Sequence, residues 1–181
     1  MFAIFGKRGV ATHELAQQLA LAFTKSAFSA FDEPDTAQTS VLWAVHRGGV
    51  QSREATVREW LVFNLVSYLE GCTSSMCSND VNQSLLRHLI SCIAEEVSAL
   101  GVFDTADEFM QLGRDRIQQY QSVVVLGNPG LSLQKIARLF LEATGRSANA
   151  PALLAAAAGA FTGGVVASKE MFDTLQKEYR I

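Results

Sequence analysis

Between Trp60 and Leu69 the chain reads Trp-Leu-Val-Phe-Asn-Leu-Val-Ser-Tyr-Leu, and wrapped at about 100° per residue these apolar side chains cover nearly the whole circumference. A helix that is apolar all round is a buried one. Ser52 stands where an N-cap belongs, Glu54 in the first turn suits the helix dipole, and Gly71 is placed for a left-handed closing residue. The pattern predicts a central helix over about 53–70. Asn64, Ser67 and Glu70 interrupt the run short of the ~20 mainly apolar residues that a bilayer span requires.

The other segments show narrower stripes. Leu15, Leu19, Ala22, Phe23, Ala27 and Ala30 recur at i, i+3 and i+4 behind Thr12, predicting a helix to about Phe31 that Asp32-Glu-Pro-Asp35 stops. From Thr39 to His46, Val41, Trp43 and Val45 alternate with Leu42, Ala44 and His46, so strand and helical turn read almost equally well. A lone strand has no partner, which favours helix or extended linker. Asp80 with Gln83 opens a helix bearing Leu85, Leu89, Ile93 and Val97 as far as Gly101. Thr105 with Glu108 matches a capping box more closely, and the stripe Phe109, Met110, Gly113, Ile117, Tyr120 and Val124 carries that helix through Val123-Val-Val-Leu126 to Gly127-Asn-Pro129.

Ser132 is expected to cap a shorter helix that closes at Gly145. Pro151 then opens a helix to about Phe161, Thr162-Gly-Gly164 breaks it, and Ser168 caps a last one. No linker, charge block or repeat of solenoid period divides the chain. The prediction is all-α: a single-domain bundle, 1–181, of six or seven helices around the central one, with 1–9 a short N-terminal arm that tucks Phe2 and Phe5 against the body.

Composition changes this picture in one respect. Hydrophobic residues make up 49% and charged ones only 18%, below the ~25% usual for soluble domains, so part of the apolar surface is expected to meet another chain. A net charge of −3 with scattered basic residues excludes a phosphate-binding stripe, and with it nucleic-acid binding. Three cysteines, an odd number, and no positively charged leader ahead of an apolar run point to the reducing cytoplasm.

Two constellations bear on chemistry. Cys72-x4-Cys77 followed by His88-x3-Cys92 has the spacing of a zinc site built from a loop pair and a helical pair. The plainer reading, that Cys92 beside Leu85 and Leu89 is a small buried hydrophobe, outweighs it. Ala155, Gly159 and Gly163 stand four apart, a small-residue ridge suited to close helix packing within the chain or across a dimer, ahead of insertion in a membrane. No histidine is tied by spacing to a nucleophile, and Gly-x-Ser-x-Gly, Gly-x-Gly-x-x-Gly, the Walker loop and His-Glu-x-x-His are absent. No catalytic or cofactor-binding residue is therefore assigned. The expectation is a cytoplasmic helical protein that acts by binding another protein or by homo-oligomerisation. The alternative is a small-molecule-binding protein or enzyme whose pocket lies between helices, with Trp43, Trp60, Phe63 or Tyr120 in its lining.

Overall fold

The structure is a computed structural model that describes residues 12–32, 45, 51–75, 80–147 and 149–178. Among these residues there are six α-helices and no strand: α1 (Thr12–Asp32), α2 (Arg53–Ser75), α3 (Asp80–Ala99), α4 (Ala106–Ser122), α5 (Pro129–Ala143) and α6 (Pro151–Glu178). The arm at 1–9 and most of Thr39 to His46 lie outside the described residues.

α2 is the central helix because it is apolar all round. Leu61 and Leu65 enter one core with Leu15, Phe23, Leu85, Leu89, Phe109 and Phe172, drawn from α1, α3, α4 and the far end of α6. Trp60 and Phe63 enter a second core with Tyr120, Ile136, Phe140, Leu153 and Phe161, drawn from α4, α5 and the near end of α6. A one-sided helix could serve only one of these cores. Phe63 stacks on Phe140 at 4.2 Å between ring centres and meets Phe161 at 5.3 Å, so the second core is a solid aromatic cluster.

Local chemistry sets the helix ends. Thr105 is extended (φ −143°) and its Oγ1 accepts from the Glu108 N–H at 3.2 Å. The Glu108 carboxylate in turn accepts from the Asp104 N–H, one residue ahead of the reciprocal bond of a capping box. Gly101, Gly127 and Gly145 have φ of +72°, +77° and +70°, the left-handed turn that a side chain would strain. Of these, Gly145 closes α5, with the Arg146 N–H reaching back to the Leu141 carbonyl at 2.8 Å.

Three expected boundaries fall elsewhere, each for a physical reason. Gly71 does not end α2, which continues to Ser75. A Cβ on Gly71 would overlap Ser168 Oγ and the Val165 carbonyl of α6, so this glycine serves close approach and not a turn. The helix α4 stops at Ser122, and 123–126 form a loop. Three consecutive β-branched residues extend the helical stripe in sequence but weaken the helix before the turn that Gly127 makes. The cap of α5 is Asn128, whose Oδ1 accepts from the Leu131 N–H at 3.0 Å, with Pro129 opening the helix. Ser132 instead folds inward, and its Oγ accepts from the Val125 N–H at 2.8 Å.

The largest correction concerns 151–178, which is one helix of 28 residues and not two. Thr162-Gly-Gly164 does not break it, because packing replaces what propensity lacks. A Cβ on Gly164 would overlap Ser67 Oγ, so Gly164-x3-Ser168 of α6 and Ser67-x3-Gly71 of α2 let the two backbones approach closely. Ser168 is no cap; its hydroxyl donates to the Gly164 carbonyl one turn back, at 2.8 Å. Phe63, Ser67 and Gly71 meet Phe161, Gly164 and Ser168 in the same order, so the two helices run in the same direction.

Candidate functional site: an open apolar groove beside α6

The loop after α4 leaves a gap in the bundle surface. Val66 and Leu69 of α2, Ile117 and Tyr120 of α4, Leu133 and Ile136 of α5, and Phe161 and Val165 of α6 line a groove of about 650 Å3 that is open to solvent and mainly apolar. One bank is the loop: Val124 is 52% exposed and Leu126, 95% exposed, stands free at the rim. The other bank is α6, through Thr162 and Val165. The polar groups of the lining do not converge on one point that would hold a small polar ligand. Ser132 is already held by the loop backbone, the Thr73 hydroxyl donates to the Glu70 carbonyl of its own helix at 3.0 Å, and Gln121 comes from α4.

The Tyr120 side chain is buried and its hydroxyl has no hydrogen-bond partner among the described residues. Burial pushes its phenol well above the usual range; Glu59 adds to this and Arg116 opposes it. It stays neutral at ordinary pH. Behind it Arg116 makes a two-pronged ion pair with Glu59, its Nε donating to Oε2 at 2.8 Å, and this bond above all holds the guanidinium charged. Of the aromatic residues expected to line a pocket, only Tyr120 reaches the groove. Trp60 and Phe63 belong to the packed aromatic core, and Trp43 lies outside the described residues.

The bank formed by α6 continues outward as an uncharged face. No acidic or basic residue stands between Arg146 and Lys169. Ala155, Gly159 and Gly163 are all exposed, and a Cβ on Gly159 or Gly163 would meet nothing within 4 Å. Among the described residues the expected ridge therefore makes no close contact; the tight crossing lies one residue further round, at Gly164 and Ser168. Among the described residues one segment, Pro151–Leu175, is long and apolar enough to cross a membrane. Only 17% of its most apolar window is buried, whereas the core helix of a bundle is mostly buried.

The described residues of the zinc-like spacing, Cys72, His88 and Cys92, form no metal-holding group. Cys72 and Cys92 are buried in the first core as free thiols, and burial pushes both thiol pKa values up, the opposite of what a metal-binding thiolate needs. His88 is exposed on α3 and stands beside His13 of α1, and Cys77 lies outside the described residues. Among the described residues no group of three or more histidine, cysteine or carboxylate side chains is disposed to hold a metal ion.

A second, shallower cleft of about 550 Å3 carries Arg58, Glu59, Glu108 and Asp115 between α2 and α4. Its carboxylates are engaged: Glu59 with Arg116, Glu108 with Arg58 at 2.5 Å, and Asp115 with the Gln111 amide at 2.9 Å. The charges there are structural ties. Asn64, the polar residue in the middle of α2, donates to the Trp60 carbonyl at 2.8 Å and borders a small cleft of about 200 Å3. Its amide is satisfied by its own helix.

Sequence reasoning missed the loop bank of the groove. The usable signal was Val123-Val-Val-Leu126 followed by Gly-Asn-Pro: four consecutive apolar residues ahead of a turn cannot all face one core. No protein-family model matches this chain, and no curated protein and no solved structure is significantly similar to it.

Proposed function

We propose that this chain is a binding protein, working in the reducing cytoplasm, that presents the groove and the adjoining face of α6 to an apolar helix of a partner, in the first place a second copy of itself. The observation that carries this reading is Leu126, a large apolar side chain 95% exposed at the rim of an open apolar groove. Isolated apolar residues are common on protein surfaces. Here Val124, Leu126, Leu131 and Val166 are all partly or largely exposed, and the uncharged stretch of α6 runs beside the groove. Val124 and Leu126 line the groove itself, and apolar side chains gathered in an open groove mark contact sites. The buried free thiols Cys72 and Cys92 support the reducing compartment.

Binding of a small metabolite, or catalysis on one, has less support, because the groove is open and no set of free polar groups converges in it. The test joins two readouts on the full chain and on Val124→Glu/Leu126→Glu, two exposed positions whose replacement leaves both cores intact. An apolar fluorophore titrated into the wild type reports the groove, and sedimentation velocity from about 1 to 200 μM reports self-association. The reading requires fluorophore binding that the double variant loses, and a dimer that the double variant weakens at least tenfold. Fluorophore binding without a dimer shifts the partner to another protein. Flotation of the wild type with liposomes, lost on Gly159→Glu, assigns the α6 face to lipid and overturns the reading, as does absence of fluorophore binding.

A further inference from the structure

A zinc site of the Cys72, Cys77, His88 and Cys92 spacing would turn His88 toward cysteines; the ring lies beside a second imidazole instead. His13, in the first turn of α1, and His88, in the middle of α3, have ring centres 6.0 Å apart with the ring planes at 86°. Both side chains are exposed, so neither ring is there to fill the core. The helices that carry them are locked together below: Leu15, Ala16 and Leu19 of α1 share a core with Leu85, Leu89 and Ile93 of α3. The backbones under the two rings are thus fixed, and only exposed side-chain torsions remain adjustable.

We propose that His13 and His88 together form a two-imidazole site for a borderline divalent cation of the zinc, nickel or copper class, which clips α1 to α3. An imidazole nitrogen binds such an ion at about 2.0–2.1 Å, which puts each ring centre roughly 3 Å from it, so two rings sharing one ion have centres about 5–6 Å apart. The observed 6.0 Å is at the wide end of that span, and a small rotation of either exposed ring closes it. Neutral nitrogen donors select this class over magnesium or calcium, which take oxygen ligands. Water completes the coordination, since Cys92, one turn beyond His88, is buried and points its chemistry into the core. The site is independent of the groove and its partner.

The test uses the full chain without an affinity tag, titrated with zinc or nickel chloride and followed by calorimetry and by thermal melting. Wild type is expected to bind one ion per chain, with Tm climbing by a few degrees as metal is added and no response to magnesium. His13→Ala and His88→Ala sit at exposed positions and should melt like wild type in the absence of metal. Each should weaken binding at least tenfold, and the double variant no further than either alone. Unchanged binding in either single variant, or none at 1 mM metal, overturns the proposal. Retention in Cys77→Ser supports the two imidazoles, and loss in Cys77→Ser assigns the metal to a thiol and overturns them.

Discussion

Two glycines on opposite sides of the α6 contact should respond oppositely to the same methyl group. At Gly71 a Cβ would overlap Ser168 Oγ, which can rotate away, and the Val165 carbonyl, which is helix backbone and cannot, while Lys169 N lies at 3.1 Å. The α2–α6 crossing must open for the methyl to fit. Overpacking of this kind costs about 1–3 kcal/mol, and contact with backbone puts it near the top of that range. Alanine returns about 1 kcal/mol of helix propensity, leaving a net loss of about 2 kcal/mol for Gly71→Ala. At Gly159 the methyl meets nothing within 4 Å, so only the propensity gain of about 1 kcal/mol remains. With a shift of roughly 2–4 °C per kcal/mol for a chain of this size, Gly71→Ala should melt about 4–8 °C below wild type and Gly159→Ala about 2–4 °C above it. Melts monitored by circular dichroism at low micromolar concentration, with urea titrations beside them, measure both. Equal or higher stability of Gly71→Ala would refute the close crossing and, with it, the account of why Gly163-Gly164 does not break the 28-residue helix α6.

Other perturbations probe the charged ties and the thiols. Glu59→Ala leaves Arg116 without its partner beside the buried Tyr120; both ends of the pair keep some solvent contact, so a loss of about 1–3 kcal/mol is expected in urea unfolding. Glu108 is held below the ordinary carboxylate range, first by the Asp104 N–H and then by Arg58. Its contribution is therefore complete above the unfolded value of about 4.3 and disappears as pH falls through the lower folded value. Wild type should exceed Glu108→Gln in Tm at pH 7, and the two should converge in acid; a gap that widens in acid would contradict the assignment. In a Cys77→Ser background, an aromatic disulfide reagent at pH 8 should find no fast-reacting thiol until urea unfolds the chain, because Cys72 and Cys92 are buried with raised pKa values.

Much of the bundle was legible because helix periodicity and end signals are local. The circumference of α2 read as buried, and it feeds both cores; Thr105, Gly101 and Gly145 act as their positions predicted. The failures came where tertiary packing outweighs local preference. Gly71, Gly163 and Gly164 look alike in sequence as helix breakers, yet two of them are inside the α2–α6 crossing and one faces out, a distinction that only the partner helix Ser67-x3-Gly71 makes. The small-residue ridge was read from the same alanine and glycine run, but on the outward face. Val123-Val-Val-Leu126 kept the helical stripe, and what ended the helix there was the turn that follows. The groove was illegible for a related reason: it exists because that loop leaves α4 early, which no side-chain pattern within one helix encodes. The cysteine and histidine spacing was compatible with a metal, but spacing along the chain does not reveal that Cys72 and Cys92 face the core while His88 faces solvent.

The central claim is that this chain keeps large apolar side chains in solvent around one groove. Methyl NMR of the dilute chain with a soluble gadolinium chelate tests it most directly. The methyls of Val124, Leu126 and Val166 should broaden strongly at chelate concentrations that leave Leu61, Leu85, Leu89 and Ile93 untouched. Val124 and Leu126 methyls as protected as those of the core would contradict the account, because the groove would then be covered within the chain and have no surface to offer a partner.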